Sequence, residues 1–268
     1  MPHGESWFSF LPFHDRLVHL AHTHGGWPLN DEGHTWITGG HAGVQHVYAA
    51  IFVLSLLAII SVVTDTSIRN AGKDLLPHEK LTIRNFAELF VGGAYNMMSD
   101  IMGAKAARYF LPLIGTCAFF ILFSNALGLI PGFLPSTDNL NTTLACGIVI
   151  FVVTHIYGLK ENGWNHVKHL FGPIISLPAL PLMLLMFAIE CISHIARPAS
   201  LAIRLMANMT ADHKVLTIFL GFMSGIAILF PLPLPVYVLG TLVVIVQTLV
   251  FCLLSTVYIA MAIEHAEH

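Results

Sequence analysis

Charged side chains recur every seven residues inside a stretch of the sequence that is otherwise apolar. Glu190, Arg197 and Arg204 are seven residues apart, which is close to two turns of an α-helix. His194 and Asn208 follow Glu190 and Arg204 by one turn, so the same face of a helix would carry them. The spacing predicts one polar stripe on an apolar helix.

Charges at the depth of a bilayer are costly and commonly mark a pathway for ions or protons. Arg204 stays charged at any working pH, so it cannot relay a proton by releasing one. A fixed positive charge can instead repel cations or lower the pKa of a carboxylic acid beside it. The titratable residues suited to a relay are Glu190, His194, Asp212 and His213.

An alternative is that Glu190 and Arg197 pair with each other and have a structural role. That explanation does not extend to Arg204, because the nearest carboxylate on its own helix is Asp212, about two turns away. We therefore expect Arg204 to be buried in the membrane, with a partner on another helix or another subunit.

The surrounding composition is that of a membrane protein. Of 268 residues, 56% are hydrophobic and 10% charged, against about 25% charged in soluble domains, and the mean hydropathy is +0.75. Apolar runs cover Val47–Val63, Tyr109–Ile130, Thr142–Tyr157 and most of Pro173–Ile263. Because a spanning helix needs about 20 residues, and because period-two alternation is missing, the fold class predicted is all-α integral membrane with about five transmembrane helices. A net charge of −3 does not indicate a nucleic-acid partner.

Basic residues predict the orientation. Thr64–Arg108 has six lysines and arginines and Lys160–Phe171 has two, whereas residues 1–46 contain only Arg16. Positive residues favour the cytoplasmic side, so the N-terminus is expected outside and the C-terminus in the cytoplasm. Residues 1–46 also lack the basic start and apolar core of a cleavable signal peptide.

We predict a single membrane domain, 1–268, with five parts. These are a polar histidine-rich arm (1–46), a first span (47–63), a cytoplasmic segment with an interfacial helix (64–108), a helical hairpin (109–159) and a long, strongly tilted hairpin (173–264) that carries the polar stripe. The interfacial helix would lie in the headgroup region, or alternatively pack against protein. The first arm of the last hairpin is too long for a core of about 30 Å, so it must be broken, kinked at Pro198 or steeply tilted.

The run "ARPASLAIRLMANMTADHK" at Ala196–Lys214 resembles the signature segment of subunit a of F-type ATP synthases. Three further segments resemble that family: "FSNALGLIPG" at 123–132, "PSTDNLNTTLA" at 135–145, and "VVIVQTLVFCLLSTVYIAMAIEH", which contains Gln247. The resemblance covers about residues 75–265.

The resemblance implies a stator subunit in a bacterial inner membrane, packed against a c-ring of hairpin subunits that each carry a membrane carboxylate. Peripheral stalk subunit b and the rest of the ATP synthase would be further partners. Two half-channels would carry protons to and from the ring, with Arg204 between them preventing leak. Asn208, His213 and Gln247 match outer-channel positions, and Glu190 and Ser193 match the cytoplasmic side. The subunit would have no catalytic site of its own and no cofactor, and the transported ion, H⁺ or Na⁺, is left open.

The sequence departs from the family at one pair of positions. Many bacterial members have glutamate where this chain has His213, paired with a histidine where this chain has Gly240, and mitochondrial members more often show the reverse. Asp212 stands where glycine is common. We therefore hypothesise that Asp212 and His213 together serve as the outer relay.

Two other functions are considered. Eight of the sixteen histidines lie in residues 1–46, and His19–His24 could bind a metal. The predicted spans lack repeated histidine boxes, so we assign no metal site. A secondary transporter acting alone would favour inverted repeats, which the sequence does not show.

Overall fold

The computed structural model describes Phe8 and residues 45–70, 83–130, 132–163, 180–223 and 233–264. Five α-helices make up most of these residues: α1 Gln45–Asn70, α2 Ile83–Leu127, α3 Leu140–Asn162, α4 Leu180–Met223 and α5 Pro233–Glu264. Each contains a stretch long and apolar enough to cross a membrane, and the described residues include no strand. The predicted all-α membrane fold with five spans is confirmed.

Several serine and threonine hydroxyls within the spans are bonded to their own helices. The hydroxyl of Ser55 donates to the carbonyl of Ile51 at 2.8 Å, and that of Thr154 donates to Ile150 at 2.7 Å. Such bonds satisfy a hydroxyl without water, which the hydrocarbon core does not provide. Serine and threonine in these helices are therefore compatible with spanning.

Gly103 divides α2 into two parts. Its φ of 79° and ψ of 156° are not helical, and a side chain at this backbone conformation is strained. The part before Gly103 packs on the bundle through Met98, which is fully buried, and Phe90, whose ring centroid lies 4.3 Å from that of Phe119. On the other side Leu89 is 77% exposed. One face of this part of α2 thus packs on the bundle, and its placement in the headgroup region stays a prediction.

The core lies between α2 and α5. Phe110, Ile114 and Ile121 of α2 are buried in one cluster with Phe251 and Ile259 of α5. These large apolar residues exclude lipid and water from the centre of the bundle. They give the helix that carries the polar stripe, α4, a fixed surface to pack against.

A buried polar turn joins α2 to α3. The 3₁₀ turn Ser136–Asp138 places Ser136 2.7 Å from the hydroxyl of Ser124, and Thr137 donates to the Asn125 side-chain oxygen at 2.6 Å. Buried polar groups need such partners. The turn is therefore an ordered part of the bundle at the end where α3 begins.

α4 runs without interruption from Leu180 to Met223, through Pro198. Its 44 residues reach about 66 Å, roughly twice the hydrocarbon core. Of the three alternatives, a broken helix does not occur between these residues, and a kink at Pro198 and a steep tilt stay predictions. α1 continues to Asn70, beyond its predicted end at Val63. The predicted histidine-rich arm up to residue 44 (Phe8 apart), residues 71–82 of the predicted cytoplasmic segment, and residues 164–179 and 224–232 lie outside the described residues.

Candidate functional site

α4 lies antiparallel to both α3 and α5, and this arrangement positions the polar stripe. Near its start, His194 faces His155 of α3, with ring centroids 4.9 Å apart. Further along, Asn208 donates to Gln247 of α5. Thr210 donates to the carboxylate of Asp138 in the 3₁₀ turn. These contacts place His194 against α3, Asn208 against α5 and Thr210 against the turn.

The first cluster of the stripe joins Glu190 to His194. The carboxylate oxygen Oε1 lies 3.4 Å from Nε2 of His194, one turn along the helix. Arg197 instead places its guanidinium 5.8 Å from the ring centroid of Tyr258, a cation–π contact. The alternative in which Glu190 pairs with Arg197 is therefore wrong for this structure. Ser193, predicted beside this cluster, donates its hydroxyl to the Ile189 carbonyl at 2.9 Å.

His155 of α3 contacts the polar stripe, although it was not among the predicted site residues. It is half-buried, and its ring packs at 70° to that of His194. Nδ1 lies 2.9 Å from the carbonyl oxygen of Phe151. Because a carbonyl can only accept, Nδ1 carries the hydrogen in this contact. The available signal was a histidine inside an otherwise apolar predicted span.

Arg204 lies on the outward face of α4. Its side chain is exposed, and it makes no hydrogen bond or ion pair with any residue that the structure describes. Ile203 beside it is 52% exposed. The described helices therefore supply no partner for Arg204, and its burial in the membrane against another subunit stays a prediction. A charge at this depth is left facing whatever covers α4.

Asn208 and Gln247 form the second cluster, between α4 and α5. Nδ2 of Asn208 donates to Oε1 of Gln247 at 2.7 Å, and Gln247 is 3% exposed. The Gln247 amide nitrogen has no hydrogen-bond partner among the described residues. An unsatisfied buried donor is unusual in a packed protein, so the seam holds hydrogen-bonding capacity that the described chain does not use.

Asp212 is brought together with Gly240. A Cβ placed on Gly240 would lie 2.9 Å from Oδ2 of Asp212 and 2.9 Å from Cδ2 of Leu129. The carboxylate thus occupies the space that a side chain at position 240 would need. His213, next in sequence, is half-buried.

No group of three histidine, cysteine or acidic side chains that could hold a metal forms within the described ranges. The cysteines that the structure describes are unpaired thiols, of which Cys252 is buried. Neither observation extends to the histidine-rich arm, which lies outside those ranges.

Comparison with known proteins gives a consistent result. The family model described as "ATP synthase A chain" matches residues 46–260. ATP synthase subunit a of Sorangium cellulosum is 44% identical over 86% of this chain and 87% of the relative. The subunits a of Geotalea uraniireducens and Geobacter sulfurreducens are each 39% identical, over 83% and 84% of this chain and 89% and 90% of theirs.

The match spans all five candidate membrane helices, from the start of α1 nearly to the end of α5. These relatives are bacterial, so the chain is a multi-pass protein of a bacterial inner membrane and a component of a larger complex. The segment around Arg204, the antiparallel packing of α4 and α5 and the extent of the match all lead to one assignment. The chain belongs to the ATP synthase subunit a family.

Proposed function

We propose that this chain is the ion-translocating stator subunit of a rotary ATP synthase. It forms two half-channels against a c-ring of hairpin subunits, and Arg204 is the fixed charge between them. The observation that carries the proposal is the exposed guanidinium of Arg204, which has no partner among the described residues and has a polar cluster on either side.

The two clusters are separated along α4 and lie on either side of Arg204, although α5 passes both, at Tyr258 and at Gln247. Glu190 precedes Arg204 by fourteen residues, about 21 Å of helix, and Asp212 follows it by eight, about 12 Å. The first cluster includes a histidine of α3, and the second includes Gln247 of α5. In this proposal an ion passes from one cluster to the other on a carrier outside the chain. A ring carboxylate that moves past Arg204 supplies that carrier.

The face of α4 around Arg204 suits close approach of another helix. Ala196, Ser200, Ala207 and Ala211 are exposed and small, and they recur at helical spacing on both sides of the arginine. Small residues let two helix backbones come together in a membrane. This surface is the proposed contact with the ring.

Asp212 and His213 form the proposed outer relay, together with Asn208 and Gln247. In this arrangement the carboxylate is supplied from α4, at the place where α5 has Gly240 and no side chain. Glu190, Ser193 and His194 form the proposed cytoplasmic side. The proposed orientation is the one predicted from the basic residues, with the N-terminus outside and the C-terminus in the cytoplasm.

Further partners proposed are peripheral stalk subunit b and the remainder of the synthase. The chain performs no covalent chemistry in this proposal. Measuring ion flux through reconstituted complexes with and without sodium would identify the transported ion as H⁺ or Na⁺.

Arg204→Ala tests the proposal. The complete complex is reconstituted in vesicles, and ATP-driven proton pumping and passive leak are measured. We expect loss of coupled pumping with passive leak, because a neutral side chain neither repels cations nor displaces a proton from a carboxylic acid. Lys214→Ala removes another exposed cation of α4 and is the matched control, with pumping retained. Normal pumping by Arg204→Ala contradicts the proposal.

A further inference from the structure

We propose that α2 and α3 together bind an anionic phospholipid, with Arg108 and Lys160 holding the phosphate of its headgroup. The site lies where the second part of α2 begins and where α3 ends. It goes beyond ion translocation, and it does not depend on the roles proposed for Arg204 and the polar clusters of α4.

Two tyrosines mark the level of this site in the membrane. Tyr109 begins the apolar run of α2, and Tyr157 ends the apolar run of α3. Their hydroxyls share a hydrogen bond, and their ring centroids lie 5.4 Å apart. Tyrosine favours the boundary of a bilayer, because its ring prefers hydrocarbon and its hydroxyl prefers the polar headgroups. The pair therefore places this end of the two helices at the level of lipid headgroups.

Exposed cations lie beside both tyrosines and are held by aromatic side chains. Lys160 follows Tyr157 by about one turn of α3, and its Nζ lies 5.5 Å from the centroid of that ring. Arg108 directly precedes Tyr109, and its Nε donates to the hydroxyl of Tyr95 at 3.4 Å. These contacts restrict the two side chains without neutralising their charge.

The positive charge at this end is not balanced by the described parts of the chain. Arg108, Lys160 and Lys105, which is one turn before Arg108, are exposed and make no ion pair with any carboxylate that the structure describes. Glu161 is exposed beside Lys160 in the sequence and forms no ion pair with it. The guanidinium and ammonium groups thus offer N–H donors to an outside partner. A phosphate, with several charged oxygens at one centre, matches such donors.

An exposed apolar stripe continues from Lys160 along α3 into the membrane. Ile156, Val152 and Ile148 precede the lysine at intervals of four residues, and all three are exposed. Side chains with this spacing lie on successive turns of one helix face. Between Ile148 and Lys160 the helix rises about 18 Å, close to half of a hydrocarbon core of about 30 Å. An acyl chain of one leaflet covers this stripe when its phosphate is at Lys160, whereas a free phosphate ion would leave the stripe bare.

The test uses the complete complex reconstituted in phosphatidylcholine vesicles with a trace of phosphatidylglycerol that carries a photoreactive group on its acyl chain. Labelled peptides of α3 are quantified by mass spectrometry and expressed per assembled complex. We expect labelling within residues 148–156, and unlabelled phosphatidylglycerol should compete better than added phosphatidylcholine. Arg108→Gln and Lys160→Gln should each lower the labelling about fivefold, and together about 25-fold, which is the usual effect of removing cations at a membrane surface.

Two further variants are controls. Lys160→Arg keeps the charge and should keep the labelling. Lys214→Gln removes an exposed cation of α4 and should leave the labelling unchanged.

Unchanged labelling in the double variant, or equal competition by the two lipids, would overturn the inference, because this face would then hold only bulk lipid. Absence of label from α3 would overturn it too, since another subunit would cover the stripe. Competition by inorganic phosphate as strong as that by phosphatidylglycerol would likewise contradict a lipid site. These results leave the proposed function intact, which Arg204→Ala tests separately.

Discussion

Replacing Gly240 with alanine tests whether the Asp212 carboxylate takes part in proton transfer. The new Cβ would lie 2.9 Å from Oδ2 of Asp212 and 2.9 Å from Cδ2 of Leu129, whereas ordinary contact begins at 3.4 Å. Both atoms must therefore move by at least about 0.5 Å. Each is the far end of a flexible side chain, so the space can be made by rotation of the side chains.

The effect of Gly240→Ala on stability should be small, because two contributions oppose each other. Crowding costs about 1 kcal/mol, at the low end of the range for overpacking. Alanine inside a helix gains about 1 kcal/mol over glycine. The position of the carboxylate changes nevertheless, and a misplacement of about 1 Å in a proton-transfer group can cost up to 10²-fold in rate. We expect ATP-driven pumping to fall about tenfold with unchanged assembly.

The assay is dye-monitored acidification of inverted vesicles, normalised to the amount of assembled complex. Asp212→Asn removes the titratable group and should reduce pumping at least as far. Adding Gly240→Ala to Asp212→Asn should then have little further effect, since the two changes act on the same group. Moving the carboxylate, by combining Asp212→Gly with Gly240→Asp, should restore part of the rate.

Two results would refute this reasoning. Full pumping by Asp212→Asn would remove Asp212 from the outer relay. An equal loss from Gly240→Ala with and without Asp212→Asn would mean that alanine acts through Leu129 and packing, and not through the carboxylate.

Two further predictions concern stability. Asn208→Leu removes the donor of the 2.7 Å hydrogen bond to Oε1 of Gln247, whose side chain is only 3% exposed. The free energy of unfolding of the solubilised complex, measured by thermal denaturation, should fall by about 1–3 kcal/mol, and adding Gln247→Leu should recover part of the loss. No recovery would show that the lost hydrogen bond is not the source of the effect. In Gly103→Ala the new Cβ meets no atom within 4 Å, but the residue is held in a backbone conformation with φ 79°. The free energy of unfolding should therefore fall by about 1–3 kcal/mol, and an immunoblot should show less assembled subunit. Unchanged assembly would contradict the strain argument.

Much of the fold followed from local patterns. Apolar runs predicted five spans because the hydrocarbon core has a fixed thickness and requires satisfied backbones. Seven-residue spacing placed Glu190, Arg197 and Arg204 on one helix, and that helix is α4. The exposure of Arg204 could be seen only in the structure, because apolar neighbours in the sequence do not reveal which face of a helix is covered by other helices.

Contacts between helices could not be read from spacing. His155 and His194 are 39 residues apart, and their meeting depends on how α3 packs against α4. Asp212 and Gly240 were linked in the sequence by comparison with a family, and the structure adds that the carboxylate fills the space above the glycine. The interruption of α2 at Gly103 was not predicted, because glycine can adopt many backbone conformations and its φ is set by the surrounding fold.

The exposed guanidinium of Arg204 also affects how the chain is made. An arginine near the middle of a spanning helix adds about 2.5–3.5 kcal/mol to the free energy of insertion, and α4 is the least apolar of the five candidate spans. Insertion of α4 is therefore helped by α5, which bonds to it through Asn208 and Gln247. If a ring subunit covers this face of α4, as proposed, Arg204 faces lipid until that subunit arrives. A newly made copy would then be an incomplete membrane protein, and we expect copies that do not assemble to be degraded.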